Sequence, residues 1–226
     1  MNNVSYTVSS AIQFVQQLPL YSADPYQLSK ILGIDVVINR PTKRDGYLIC
    51  ESGCKLIIVS SNIRNQHRRK FIISHELGHF LMHRQQLYCC SHVSEVNCRT
   101  QINTAIQESE ANAFASEFLA PYEKVKLLLP NQSLTLNDIS EIAHGFDISM
   151  TFSAMKAVQC SKTENEILLC YHRGKLKWYV CPDGVLKYSD IPLYCPIDLS
   201  SARAISPNVS GVWNSMYEGR VHQECF

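Results

Sequence analysis

Between residues 75 and 79 the chain reads His75-Glu76-Leu77-Gly78-His79, two imidazoles four residues apart with a carboxylate beside the first. On an α-helix, positions i and i+4 stand one turn apart on the same face, so both rings can meet one cation. Glu76 is offset by one position, so its carboxylate can reach a water at that cation without taking a ligand place, as a general base must. Zinc (Zn2+) suits this donor set, because it accepts nitrogen and carboxylate oxygen in a tetrahedron and lowers the pKa of bound water to about 7. A catalytic zinc also needs a third protein ligand and an open fourth position. Two downstream carboxylates, Glu108 and Glu110, lie on a segment with helical spacing. Glu108 shares a face with Ala111, Asn112 and Ala115, and these alanines let a second helix approach Gly78 closely, so Glu108 is expected to be the inward ligand. Glu110 aligns with Ala113, Phe114 and Glu117, a line expected to be more exposed.

Asn112 is placed to accept a hydrogen bond from the far ring nitrogen of His75 or His79; an ordinary helix-surface asparagine is the plain alternative. His83 prolongs the histidine run, but eight residues of helix span about 12 Å, so His75 and His83 cannot share an ion. His83 is therefore expected to be a polar or supporting residue. Tyr88, His92 and the adjacent thiols Cys89 and Cys90 fit a cleft lining or a surface loop equally, and receive no role.

These groups act together only if packed helices hold them. From Gln66 to His83 there is no proline, and Ile72, Ile73, Leu77, Phe80 and Leu81 recur at helical spacing, which predicts a long helix buried on one side. A second helix is predicted from Ala105 to Leu119, ending before Pro121, with a polar stretch from Arg84 to Thr104 between the two. Upstream, Asp24-Pro25 starts a helix that stops near Gly33. Ile34 to Ile38, Tyr47 to Cys50 and Lys55 to Ser60 read as a small antiparallel sheet. Downstream, Leu136 to His144 and Met150 to Gln159 outline a helix-turn-helix, with Ser149 as an N-cap. Glu166 to Tyr171 and Lys175 to Val180 read as strands, followed by a segment with Pro182, Pro192, Pro196 and Pro207.

The whole composition is globular: 226 residues, 46% hydrophobic and 18% charged, enough for one principal core plus an appendage. A formal net charge of +1 gives no general drive toward nucleic acid, membrane or acidic substrate. Residues 1–20 lack a basic segment, their apolar positions are broken by Gln13, Gln16 and Gln17, and no apolar run reaches the roughly 18 residues of a membrane span. Ten cysteines without an export signal or a Cys-x-x-Cys pair are read as reduced thiols of a cytoplasmic protein, packed as small hydrophobes.

At this point the chain resembles the ImmA/IrrE family of zinc-dependent metallopeptidases. The resemblance rests on Asp24-Pro25-Tyr26 through Gly33-Ile34-Asp35-Val36, Asp45-Gly46-Tyr47-Leu48, and Arg69-Lys70-Phe71-Ile72-Ile73-Ser74 leading into the histidine motif. It continues in Glu108-Ser109-Glu110-Ala111-Asn112-Ala113-Phe114-Ala115 and closes on Leu119-Ala120-Pro121. The histidine motif recurs in many zincins, whereas its combination with the glutamate-asparagine segment is much more particular. The resemblance covers about residues 25–158. It implies His75, His79 and Glu108 as zinc ligands, Glu76 as catalytic base, and a partner helix-turn-helix repressor or antitoxin as the protein cleaved. The architecture expected is α+β: a zincin-like metallopeptidase domain over residues 1–160, including the helix-turn-helix-like helices at 136–159, then a short β-rich extension over 161–226. The cysteine-rich insert and the short segment after Lys162 depart from the larger radiation-response members, so substrate and trigger can differ.

Two other classes compete with a peptidase. A DNA-binding regulator would use the second helix of the 136–159 pair, but that helix offers only Lys156 as a cation, so direct DNA binding is not expected. A noncatalytic zinc-containing binding protein would hold its partner uncut. Glu76 argues against it, since a closed structural site has no use for a base.

Overall fold

A computed structural model of the chain describes residues 3–19, 23–39, 41, 44–51, 53–83, 98–131, 134–162, 168–172 and 175–180. The architecture is α+β, and the chain groups into two compact units, residues 1–121 and 122–226.

In the first unit, helix α1 (Asn3–Gln16) precedes helix α2 (Pro25–Ile31). Asp24 caps α2, its side chain accepting the Tyr26 N–H at 3.1 Å, and Gly33 at φ +66° turns the chain out of it, as the Asp-Pro and Gly signals predict. Three strands follow: β1 (Asp35–Asn39), β2 (Gly46–Glu51) and β3 (Cys54–Ser60). The sheet order is β1-β3-β2. β2 and β3 pair antiparallel around Gly53, whose φ of +91° the turn requires, whereas β1 pairs parallel with β3, from Asp35 opposite Leu56 to Asn39 opposite Ser60. The sheet is therefore mixed, which corrects the expectation of an all-antiparallel one. The physical reason lies in β3: its run of buried Ile57, Ile58 and Val59 suits the central place, β2 pairs antiparallel along one edge, and β1 takes the opposite edge, where it runs in the same direction as β3.

Helix α3 (Gln66–Met82) is capped by Asn65, which accepts the Arg68 N–H at 2.9 Å, and ends at His83. Its buried side carries Ile72, Ile73, Leu77 and Phe80, as the spacing predicts. β2 enters against α3 at Gly46, where a Cβ would overlap the Ile72 Cγ2 methyl, and the Arg68–Asp45 ion pair at 2.7 Å ties the start of that strand to the helix surface. Helix α4 (Cys98–Leu119) begins earlier than expected and packs along α3. A Cβ at Gly78 would stand 3.2 Å from the Ala111 Cα, so the glycine sets how close the two helices come. Ala111, Phe114, Ala115, Phe118 and Leu119 form the buried stripe of α4, with the Phe114 and Phe118 rings stacked at 5.9 Å. Val8, Ala11 and Val15 bury one side of α1 in the same unit. α1 is absent from the sequence-based outline, because its glutamines hide a helical apolar stripe in a segment read only for export signals.

In the second unit, helix α5 (Tyr122–Leu128), also absent from that outline, precedes helices α6 (Leu136–Phe146) and α7 (Met150–Cys160). Thr135 and Asp138 form a capping box on α6, Ser149 caps α7 as expected, and the Ser153 hydroxyl donates to the Ile139 carbonyl at 2.6 Å, joining the pair. Strands β4 (Leu168–His172) and β5 (Lys175–Val180) make an antiparallel hairpin. No helix among the described residues is long and apolar enough to cross a membrane. Tyr88, Cys89, Cys90 and His92, and the proline-bearing segment from residue 181 onward, lie outside the described residues.

Candidate metal centre

α3 presents His75 and His79 one turn apart, with their Nε2 atoms 3.0 Å from each other. α4 brings Glu108 to the same point: its carboxylate oxygens lie 3.2 Å from His75 Nε2 and 3.4 Å from His79 Nε2. The three side chains form one cluster whose ligand atoms all fall within 4.8 Å of one another, a group able to hold a metal ion. Zinc–nitrogen bonds of about 2.0–2.1 Å in a tetrahedron set its ligands roughly 3.3 Å apart, so the observed spacings fit that ion. The Glu108 side chain is 53% exposed while both histidines are largely enclosed, so the cluster opens on one side toward solvent.

Burial, and then the nearby His75 and His83 rings, push His79 down from 6.5 to about 3. The ring is neutral near pH 7, and its contact with Glu108 is a meeting of donor atoms rather than an ion pair. Glu76 is buried one position along from His75. Burial first, and the Glu108 charge second, raise its carboxyl from 4.5 to about 7, opposed by Arg44 and by a hydrogen bond from the Leu48 backbone. The Leu48 contact fixes the carboxylate against β2, and a group near 7 can both take and return a proton at neutral pH.

Around this cluster α4 supplies two further contacts. The Asn112 Oδ1 lies 3.0 Å from His75 Nδ1, the contact expected from its place one turn beyond Glu108. Glu110 departs from expectation: it is buried rather than exposed, with Oε2 2.8 Å from His83 Nε2, and the His83 Nδ1 lies 2.9 Å from His79 Nδ1. The buried stripe of α4 is centred between Ala111 and Phe114, so Glu110 falls inside it and Glu108 and Asn112 lie at its exposed border. Reading faces by shared alanines found the close approach at Gly78 but placed the stripe off centre. The available signal was His83 itself, one further turn along α3, which needs a partner once buried. Cys50 and Cys160 are buried as expected, while Cys54 is exposed.

A mixed α+β unit with a two-histidine helix and a carboxylate from its neighbour defines a metallopeptidase type of fold. The family model of the IrrE N-terminal-like domain, Peptidase_M78, matches residues 29–157. "Uncharacterized immunity region protein 2" of Bacillus phage phi105 is 33% identical over 136 residues, which are 57% of this chain and 82% of that protein. Among solved structures, a Mycobacterium tuberculosis transcriptional regulator aligns with a TM-score of 0.50 at 15% identity, over 78% of this chain and 55% of its own. That likeness concerns the fold, and this chain spans little more than half of that one's length. The chain belongs to the ImmA/IrrE family, in its IrrE N-terminal-like peptidase domain.

Proposed function

We propose that the protein is a zinc-dependent metallo-endopeptidase that cleaves a partner helix-turn-helix repressor or antitoxin and so controls gene expression. The observation that carries this reading is the convergence of His75 Nε2, His79 Nε2 and the Glu108 carboxylate, open on one side, with Glu76 buried next to them. In it His75, His79 and Glu108 hold the zinc. When bound, the ion supplies Lewis-acid polarisation of the scissile carbonyl and a water activated at neutral pH. Glu76, held by Leu48, takes the proton of the attacking water at its carboxylate and returns it to the departing amide nitrogen. Asn112 orients His75.

The peptidase domain is taken to run over residues 1–160, as a family match ending at residue 157 supports, with 161–226 as an extension. The phage relative carries an immunity-region name, which supports a regulatory target. A cytoplasmic setting follows from such a target. Lys156, the cation on α7, is only 5% exposed, which weighs against α7 as a DNA-reading helix.

The deciding experiment incubates the zinc-loaded protein with the repressor or antitoxin encoded alongside it, beside Glu76→Gln. Cleavage by the parent, abolished in Glu76→Gln while zinc stays bound at one per chain, is the expected result. An intact partner in both samples overturns the peptidase reading in favour of a noncatalytic zinc-containing binding protein.

A further inference from the structure

Among the described residues, a buried polar cluster beside the site has no part in that chemistry. Behind His79, on the side away from Glu108, stand His83 and Glu110, 5% and 8% exposed. His83 touches both neighbours, with Nδ1 2.9 Å from His79 Nδ1 and Nε2 2.8 Å from the Glu110 carboxylate. We propose that His83 and Glu110 are positioning residues, a relay that locks His79 in its Nδ1–H tautomer and so aims a bare Nε2 lone pair into the metal site. This rests on the zinc reading and goes beyond it, since neither group touches the ion.

The proposed polarity of the relay is the one in which His83 is neutral and Glu110 is ionised. A carboxylate only accepts, so the hydrogen in the contact with Glu110 belongs to His83 Nε2. The relay takes His83 as a neutral imidazole, which carries one N–H; its Nδ1 is then an acceptor, and the hydrogen between the two Nδ1 atoms belongs to His79. That leaves Nε2 of His79 as a lone-pair donor, and Nε2 is the atom 3.0 Å from His75 Nε2. His75 is served more simply, by an exposed Asn112 whose Oδ1 accepts from its Nδ1. α4 thus acts on both sides of His79: Glu108 meets Nε2 directly, and Glu110, two residues on, reaches Nδ1 through His83. A buried carboxylate–imidazole pair is a poor source of stability compared with apolar side chains of similar size. What it contributes is a fixed ring orientation and a more basic ligand nitrogen.

The test titrates the full-length protein with zinc against a chromophoric chelator, and records nitrogen-15 spectra of the histidine rings without metal. In the parent, His79 carries its proton on Nδ1. H83L should move that proton partly to Nε2 and weaken zinc binding about 10–100-fold, the usual range for losing such a partner. H83Q, whose amide offers an acceptor to His79 and a donor to Glu110, should recover part of the loss. Because the links act in series, H83L/E110L should bind zinc no more weakly than H83L, while its metal-free unfolding midpoint stays at or above that of H83L. E110Q keeps the side-chain volume and should weaken zinc binding roughly 10-fold; it carries the test if circular dichroism shows the leucine variants unfolded. Parent-like zinc affinity in E110Q and H83L/E110L, or an H83Q no better than H83L, overturns the relay alone. H79A and E108A separate the two readings: a parent that takes up no zinc, or these variants binding it unchanged, overturns the zinc site and the relay with it.

Discussion

Glu76 carries a conflict between burial and charge. Its carboxyl sits at about 7 in the metal-free fold, against 4.5 ordinarily, chiefly because burial disfavours the anion. Between those values the folded chain holds a proton that the unfolded chain has released, so this group makes stability fall as pH rises from about 4.5 to 7, and the penalty is complete above that. Glu76→Gln removes it. The metal-free variant should be more stable than the parent at pH 8, by up to about 3 kcal/mol, and nearly equal to it at pH 4, as urea unfolding at the two values will read. Asn112 is a different case, because it is exposed and contributes little to packing. Asn112→Ala should leave the metal-free unfolding midpoint unchanged and weaken zinc binding by about 10-fold in a chelator competition. At this scale the sequence was most legible for His75, Glu76 and His79, whose relation is fixed by one turn of one helix, and for Asn112, one turn from Glu108. It was least legible for Glu110, whose burial depends on where the core stripe of α4 falls.

The site is a product of one helix crossing. Glu108 reaches the histidines only because α4 lies close on α3, and that closeness is set at Gly78, where an added Cβ meets the Ala111 Cα at 3.2 Å and Phe114 Cδ1 at 3.2 Å. Backbone cannot yield as a flexible side chain can. Gly78→Val should therefore cost about 1–3 kcal/mol in urea unfolding, the range of an overpacked core, and should also weaken zinc binding, because α4 carries Glu108 away as it shifts. A variant that loses stability yet binds zinc like the parent would contradict this coupling. Helices with strong caps and clear spacing, such as α2, α3, α6 and α7, could be read within a few residues of their ends. The sheet could not, since strand direction is decided by which edge of β3 each neighbour reaches, and nothing in the β1 residues alone encodes that.

Across the whole molecule, every residue assigned to the site lies within residues 1–121. Ligand that binds only the folded state stabilises it by mass action, by about 2.7 kcal/mol when free ligand is a hundredfold above Kd. Zinc at that excess should slow amide hydrogen exchange in α3 and α4 more than in α6 and α7, and chelator should reverse the effect; uniform protection of both units would contradict a site confined to the first. The sequence by itself determined the donor types and their local order. The His-Glu-x-x-His turn, the carboxylates downstream and the caps are matters of helical period, which adjacent residues impose on one another. Spacing also favoured Glu108 over Glu110 as the carboxylate that meets the histidines; tertiary structure alone decided that Glu110 is buried against His83 behind them, and that β1 runs parallel to β3. Those outcomes depend on how two surfaces distant in sequence interlock, and a contact at a single glycine on α3 sets the distance at which α4 comes to rest.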